Sequence, residues 1–207
     1  MLDIELVEGP EDTGLDIVSL AEFKKHMRRS QSGFDDEFTA AIKEAADKLH
    51  GRDGELNRSV FPVTWCRYLR AFPKGRIIRL PYPPLIEVSS IVYEDPDGAS
   101  PTPLLESSKY IQRTQTLIGE IELLPDYTWP SVADHPRAIA ITYRAGYETY
   151  PDKLKRLVKI LAGHYVESKE AAITERAQSM MSRKVEFGVE DLRAALRVPV
   201  AYDDWED

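Results

Sequence analysis

The sequence predicts an α+β fold, a helical domain built from both ends of the chain with a small antiparallel β unit inserted between them. Three observations carry this. Apolar residues recur at helical spacing towards both termini, the period shortens to the alternation of strands between Val60 and Tyr147, and turn sequences such as Phe72-Pro73-Lys74-Gly75 and Asp95-Pro96-Asp97-Gly98 punctuate that middle stretch. The divisions that follow are an acidic N-terminal extension over 1–14, helical parts over 15–58 and 148–198, a β unit over 59–147 and an acidic tail over 199–207.

Taken in order, Ser19-Leu20-Ala21-Glu22 has the form of a capping box, and Leu20, Phe23 and Met27 then share one face of a short helix. Asp35 and Asp36 open a second helix as caps that complement its dipole, and Phe38, Ile42, Ala45, Ala46 and Leu49 form its apolar stripe up to Gly51. Strand candidates follow at Val60–Phe72, Arg76–Leu80, Ile86–Glu94, Tyr110–Arg113, Gly119–Leu123 and Ala138–Arg144. Pro81, Pro83 and Pro84 must end a strand or lie at an edge, because proline donates no ladder hydrogen bond. Pro151 suits the first turn of a third helix, with Leu154, Leu157, Val158, Leu161, Tyr165 and Val166 as its buried stripe. Ile173 to Met181 is weakly helical, and Val189 to Leu196 reads as a short last helix closed by Pro199.

The chain has 207 residues, 43% of them hydrophobic, enough for one buried core with an appended subdomain. No apolar run is long enough for a membrane span, and the acidic start lacks a signal-peptide pattern, so the expectation is an intracellular protein. Cys66, the only cysteine, excludes an intrachain disulfide and a multi-thiolate zinc site; its place in an alternating run favours packing over reactivity. A net charge of −8 disfavours binding by phosphate neutralisation, although a local basic stripe survives inside that average.

No phosphate-cradling, nucleophile-elbow or metalloprotease motif is present, and His26, His50, His135 and His164 fall on separate elements. Neither catalytic residues, nor a cofactor, nor a metal is expected. Glu87, Glu94, Glu120 and Glu122 are candidates for a pair of hydrolytic carboxylates, against the plainer reading of a solvated strand face. The Asn57-Arg58-Ser59 sequon carries no meaning without secretion. Lys153, Lys155, Arg156 and Lys159 make a basic side on the third helix, either a solvated, lumen-lining or inter-subunit face or a stripe towards DNA. Tyr82, Tyr127, Trp129, Tyr147 and Tyr150 cluster with prolines, as contact surface for association or as staples within the fold.

The stretch TWCRYLRAFPKGRIIRLPYPPLIEVSSIVYEDPDG, preceded by the capped helix SLAEFKKHMR, resembles the head-to-tail connector, or adaptor, proteins of long-tailed phages, prophages and gene transfer agents. The resemblance continues through Trp129-Pro130, AIAITYRAGY, the helix after Pro151 that ends GHYVESKEA, and FGVEDLRAALRV, spanning Val18 to Val198. It departs from the family at ERAQSMMSRKVEFG, where a loop with glycine and proline is common, and it leaves out both acidic ends.

What the resemblance implies is a non-enzymatic ring subunit, with about twelve copies closed by cyclic symmetry, in a particle neck after synthesis in the bacterial cytoplasm. Its partners would be itself, the portal protein, and the next connector, stopper or tail-terminator protein, with DNA passing through without specific binding and no membrane involved. Candidate interface residues are Pro81, Tyr82, Pro83 and Pro84 at a stiff exposed corner, with Trp129, Phe187, Leu192, Leu196 and Trp205. The segment from Phe187 onward is expected to order on the portal, or else to pack on the chain's own third helix. The rival from another class is a carbohydrate-binding or hydrolytic module built on the β unit.

Overall fold

A short apolar strand buries itself only by pairing, and the fold follows from which strands pair. The fold is given by a computed structural model that describes residues 3–11, 13–97, 106–171 and 189–198. Among these, seven strands form two antiparallel sheets, and with the helices they make an α+β fold. The strands are β1 (Ile4–Glu8), β2 (Val63–Leu69), β3 (Ile77–Leu80), β4 (Leu85–Tyr93), β5 (Tyr110–Arg113), β6 (Gly119–Leu123) and β7 (Ile139–Ala145). The helices are α1 (Gly14–Ile17), α2 (Leu20–Met27), α3 (Asp35–Asp47), α4 (Asp152–Ala171) and α5 over residues 189–196.

The described residues fall into two compact units. The β unit takes its described residues from 3–11 and 61–148, together with Val198; the helical unit takes them from 13–60 and 149–197. In the β unit, one sheet has the order β1-β2-β7-β4 and the other β3-β6-β5. β6 shows why alternation was readable: Gly119, Ile121 and Leu123 are buried while Glu120 and Glu122 turn outward. Val63, Trp65, Ile78, Leu80, Ile91, Ile121, Ile141 and Tyr143 belong to its core. Gly146 closes the unit in a backbone conformation that suits only glycine, with φ +138° and an added Cβ 2.2 Å from the Phe61 carbonyl oxygen.

In the helical unit, Ser19 and Glu22 form the reciprocal cap at the start of α2, and Phe23 is fully buried. α3 and α4 pack together, with Phe38, Ile42, Ala45 and Ala46 buried on the one and Leu154, Leu157, Val158 and Leu161 on the other, and Phe38 meets the Phe23 ring edge to face. Asp35 and Asp36 open α3 as expected. They lie inside the first turn of α3, whose N-cap is Phe34 with no side-chain cap bond. Their charge suits the helix dipole, and Asp35 also pairs with Lys24.

The N-terminus departs from expectation. Rather than a mere acidic extension, residues 4–8 are a strand on β2, and Thr13 caps α1 with Asp16 answering it. Only Ile4 of β1 is buried, so no buried apolar face marks the strand.

Candidate assembly surfaces

The proline corner is the first site to be placed, and it is not an exposed handle. Pro81, Tyr82 and Pro83 are buried, and Pro84 is half-buried. Tyr82 takes the left-handed backbone conformation, φ +56°, which costs a side-chain-bearing residue free energy unless its surroundings hold it there. Those surroundings are visible: its ring lies 4.9 Å from that of Trp65, and the Tyr143 hydroxyl donates to the Pro81 carbonyl at 2.8 Å. The Pro83–Pro84 peptide is cis. Burial of these aromatic and pyrrolidine rings in the core outweighs their use as contact surface, so the corner is a staple within the β unit.

Trp129 is half-buried. Its ring stacks on Phe72 with centroids 4.7 Å apart and planes 3° apart, and its indole N–H donates to the Gly75 carbonyl at 2.7 Å. It therefore fixes the turn before β3, while Tyr127 nearby in sequence remains 41% exposed.

The hydrolytic carboxylates do not converge on a site. Glu120 faces Arg79 at 3.8 Å, Glu122 pairs with Arg113, and Glu94 meets His135 at 2.7 Å. Glu87 is an exposed residue of β4 whose register partner on β7 is Arg144. These are exposed strand-face pairs, worth little individually. Among the described residues, no group of three or more His, Cys, Asp and Glu is placed to hold a metal ion. Cys66 is buried in β2.

The basic side of α4 divides in two. Lys153 and Arg156 are exposed, while Lys155 and Lys159 are half-buried and close enough to α2 to act on its charges. The Ser19 amide and hydroxyl hold the Glu22 carboxyl below its ordinary range, and Lys159 and Lys155 add to that. Burial lowers the pKa of His26, Lys159 adds to the lowering, and Glu167 opposes it. Half of the predicted stripe is thus partly buried and acts on the charges of α2.

Residues 189–198 are seated on the chain itself, which corrects the expectation of a segment ordered only by a partner. Val189 and Leu196 are buried, Leu192 is half-buried, and Arg193 pairs with Glu55 at 2.7 Å. Val198 joins the core of the β unit. The candidates Phe187 and Trp205 lie outside the described residues.

Two features escaped sequence reading. His50 accepts the Val60 amide on Nδ1 at 3.1 Å, and burial lowers its pKa to about 4. Arg137 holds β1 in place: it pairs with Asp3 at 2.7 Å and Glu5 at 2.8 Å, and lies 4.3 Å from the Tyr68 ring centroid. The Cys66 side chain, burial and then Glu5 push the Tyr68 hydroxyl above its ordinary range. No spacing in the sequence joins residues so far apart, although the alternation of acids with apolar residues in IELVE is a weak strand signal.

With this geometry in place, the fold has clear counterparts among solved structures. The chain is similar to one in the neck of an empty gene transfer agent particle solved with C6 symmetry, with a TM-score of 0.65, 20% identity, and 97% of this chain and 98% of that one covered. It is likewise similar to a chain of the native gene transfer agent virion, with a TM-score of 0.66 and 21% identity over 96% and 97% of the two chains. A chain of the native neck solved with C12 symmetry matches with a TM-score of 0.61 and 21% identity, over 98% of each. No protein-family description and no curated protein sequence matches this chain. The shared feature is the fold, from end to end.

Proposed function

We propose that this protein is a structural subunit of a particle neck, a head-to-tail connector that works by shape and contact and has no turnover. The observation that carries the reading is likeness along nearly the whole chain, 97% of this one and 98% of that one, to a chain in the neck of a gene transfer agent particle. The likeness takes in both units of the described fold.

In this reading about twelve copies close a ring, because cyclic symmetry lets one chain match a symmetric vertex, and a neck chain of the same fold has been solved with C12 symmetry. One end of the ring meets the portal protein, and the other meets the next connector, stopper or tail-terminator protein. DNA passes through the lumen without specific binding, which suits a subunit of net charge −8. Exposed Lys153 and Arg156 line the lumen or the contact between subunits, and Trp129 and Leu192, both half-buried, flank the assembly contacts. The subunit is made in the bacterial cytoplasm and ends in the neck without a membrane stage; no helix among the described residues is long and apolar enough to cross a membrane.

Deleting the gene from a producing cell tests the reading. Filled or leaking heads that lack tails are expected, with normal heads and tails accumulating separately. Tailed, infectious or transfer-competent particles from the deletion strain would overturn it.

A further inference from the structure

We propose that strand β1 is the docking edge of the β unit and takes an extended, lysine- or arginine-bearing segment of another protein as an added strand. The inference goes beyond the neck reading and stands independently of it, because it rests on how the sheet edges of this chain are closed.

The two sheets have four edge strands, β1 and β4 in one and β3 and β5 in the other. Two of them, β4 and β3, have backbone groups taken by side chains of the other sheet, and β5 lends the Gln112 side chain to one of these bonds. The Val88 amide on β4 donates to the Gln112 side-chain oxygen at 2.8 Å, and the Gln112 amide donates back to the Val88 carbonyl at 3.4 Å, which ties β4 to β5. On β3, the Arg79 carbonyl accepts from the Arg67 guanidinium of β2. Among the described residues no side chain bonds the backbone of β1 in this way.

The ladder fixes which groups of β1 face out. Tyr68 donates its amide to the Asp3 carbonyl, and Glu5 lies opposite Cys66 in the same register, so Asp3 and Glu5 turn their backbone groups towards β2. Alternation along an antiparallel strand then turns the amide and carbonyl of Leu6 outward, just before the register shifts between Leu6 and Glu8. The side chains there are uncovered, Leu6 at 49% and Val7 at 60% exposure. An edge with free backbone groups and bare apolar side chains is a template for strand addition.

Charge selects the occupant. Glu5, Glu8 and Glu11 are exposed, and residues 3–11 contain no lysine or arginine. Arg137 neutralises Asp3 and Glu5 from within the chain, which leaves Glu8 and Glu11 without an ion pair among the described residues. A second copy pairing edge to edge would bring like charges together across the new ladder, which is destabilising, whereas a strand with basic residues at alternate positions would meet opposite charge. The acids therefore guard the edge against self-association and admit a basic segment.

The test uses the full chain and a fluorescent peptide alternating lysine with valine, with a glutamate–valine peptide as control, read by fluorescence anisotropy. Leu6→Pro removes the outward amide and leaves the inward ones, Leu6→Ala keeps the amide, and Glu8→Lys with Glu11→Lys reverses the charge. The lysine peptide should bind the parent and Leu6→Ala similarly, and should lose about tenfold or more in affinity with Leu6→Pro and with the charge-reversed variant. Should Leu6→Pro unfold, hydrogen exchange on the parent decides: the Leu6 amide should exchange freely alone and become protected with the lysine peptide. Equal binding of both peptides, binding unchanged by Leu6→Pro in a folded protein, an unprotected Leu6 amide, no binding at all, or dimerisation of the parent through β1 would each overturn the proposal.

Discussion

Acidifying the protein from pH 7 to pH 4.5 should remove about 2.5 kcal/mol of folding stability through the single side chain of His50. Burial holds its pKa at about 4 in the folded chain, against an ordinary value of 6.5. The neutral ring is the form that accepts the Val60 amide on Nδ1. Between these two values the unfolded chain binds the proton and the folded chain resists it, so the contribution is complete above pH 6.5 and drains away as pH falls towards 4. A difference of 2.5 between the two values sets a ceiling of about 3.4 kcal/mol, of which about 2.5 is expressed by pH 4.5. His50→Asn keeps an acceptor near the Nδ1 position and cannot take the proton. Urea unfolding followed by circular dichroism at the two pH values should show the parent losing stability and the variant losing about 2.5 kcal/mol less. His26, whose pKa is also lowered, contributes equally to both proteins and cancels in the comparison. Equal losses in parent and variant would refute the reasoning.

Three further outcomes are expected from the packing. Tyr143→Phe leaves the buried Pro81 carbonyl without its donor and should cost about 1–2 kcal/mol in chemical denaturation. Gly146→Ala drives a Cβ to 2.2 Å from the Phe61 carbonyl oxygen at a φ of +138°, so a loss of about 3 kcal/mol or more, or failure to accumulate as folded protein, is expected. Leu196→Ala should lower stability by about 2–3 kcal/mol in the isolated protein, because residues 189–198 pack on the chain itself; an unchanged melting temperature would restore the reading that this segment waits for a partner.

Strands such as β6 and β7 were legible because alternate residues enter the shared core while those between them are less buried. Gly119–Leu123 and Tyr110–Arg113 were read at the bounds they have, and Ala138–Arg144 is displaced by one residue from Ile139–Ala145. Helices were legible for the same kind of reason, Phe23 and the α4 stripe facing one direction only. β1 was not, since four of its five residues are exposed and pairing alone makes it a strand. The burial of the proline corner was also hidden. Its prolines announced a turn, but the ring that buries Tyr82 belongs to Trp65, seventeen positions away, and sequence spacing does not encode that contact. In the same way, the basic side of α4 read as one stripe because helical periodicity cannot say that Lys155 and Lys159 are half-buried and lie near the charges of α2. The resemblance identified a fold that extends along nearly the whole chain, while the parts it excluded, including β1, had to come from the structure.

The central claim is that this chain is a repeated subunit in the neck of a particle. Cryo-electron microscopy of the neck of particles purified from the producing cell tests it most directly. The account predicts a closed ring of about twelve copies of this fold between the portal and the first tail protein, with the α2–α3–α4 packing described above fitting the density. A neck reconstructed without this chain, or with a single isolated copy, would contradict it.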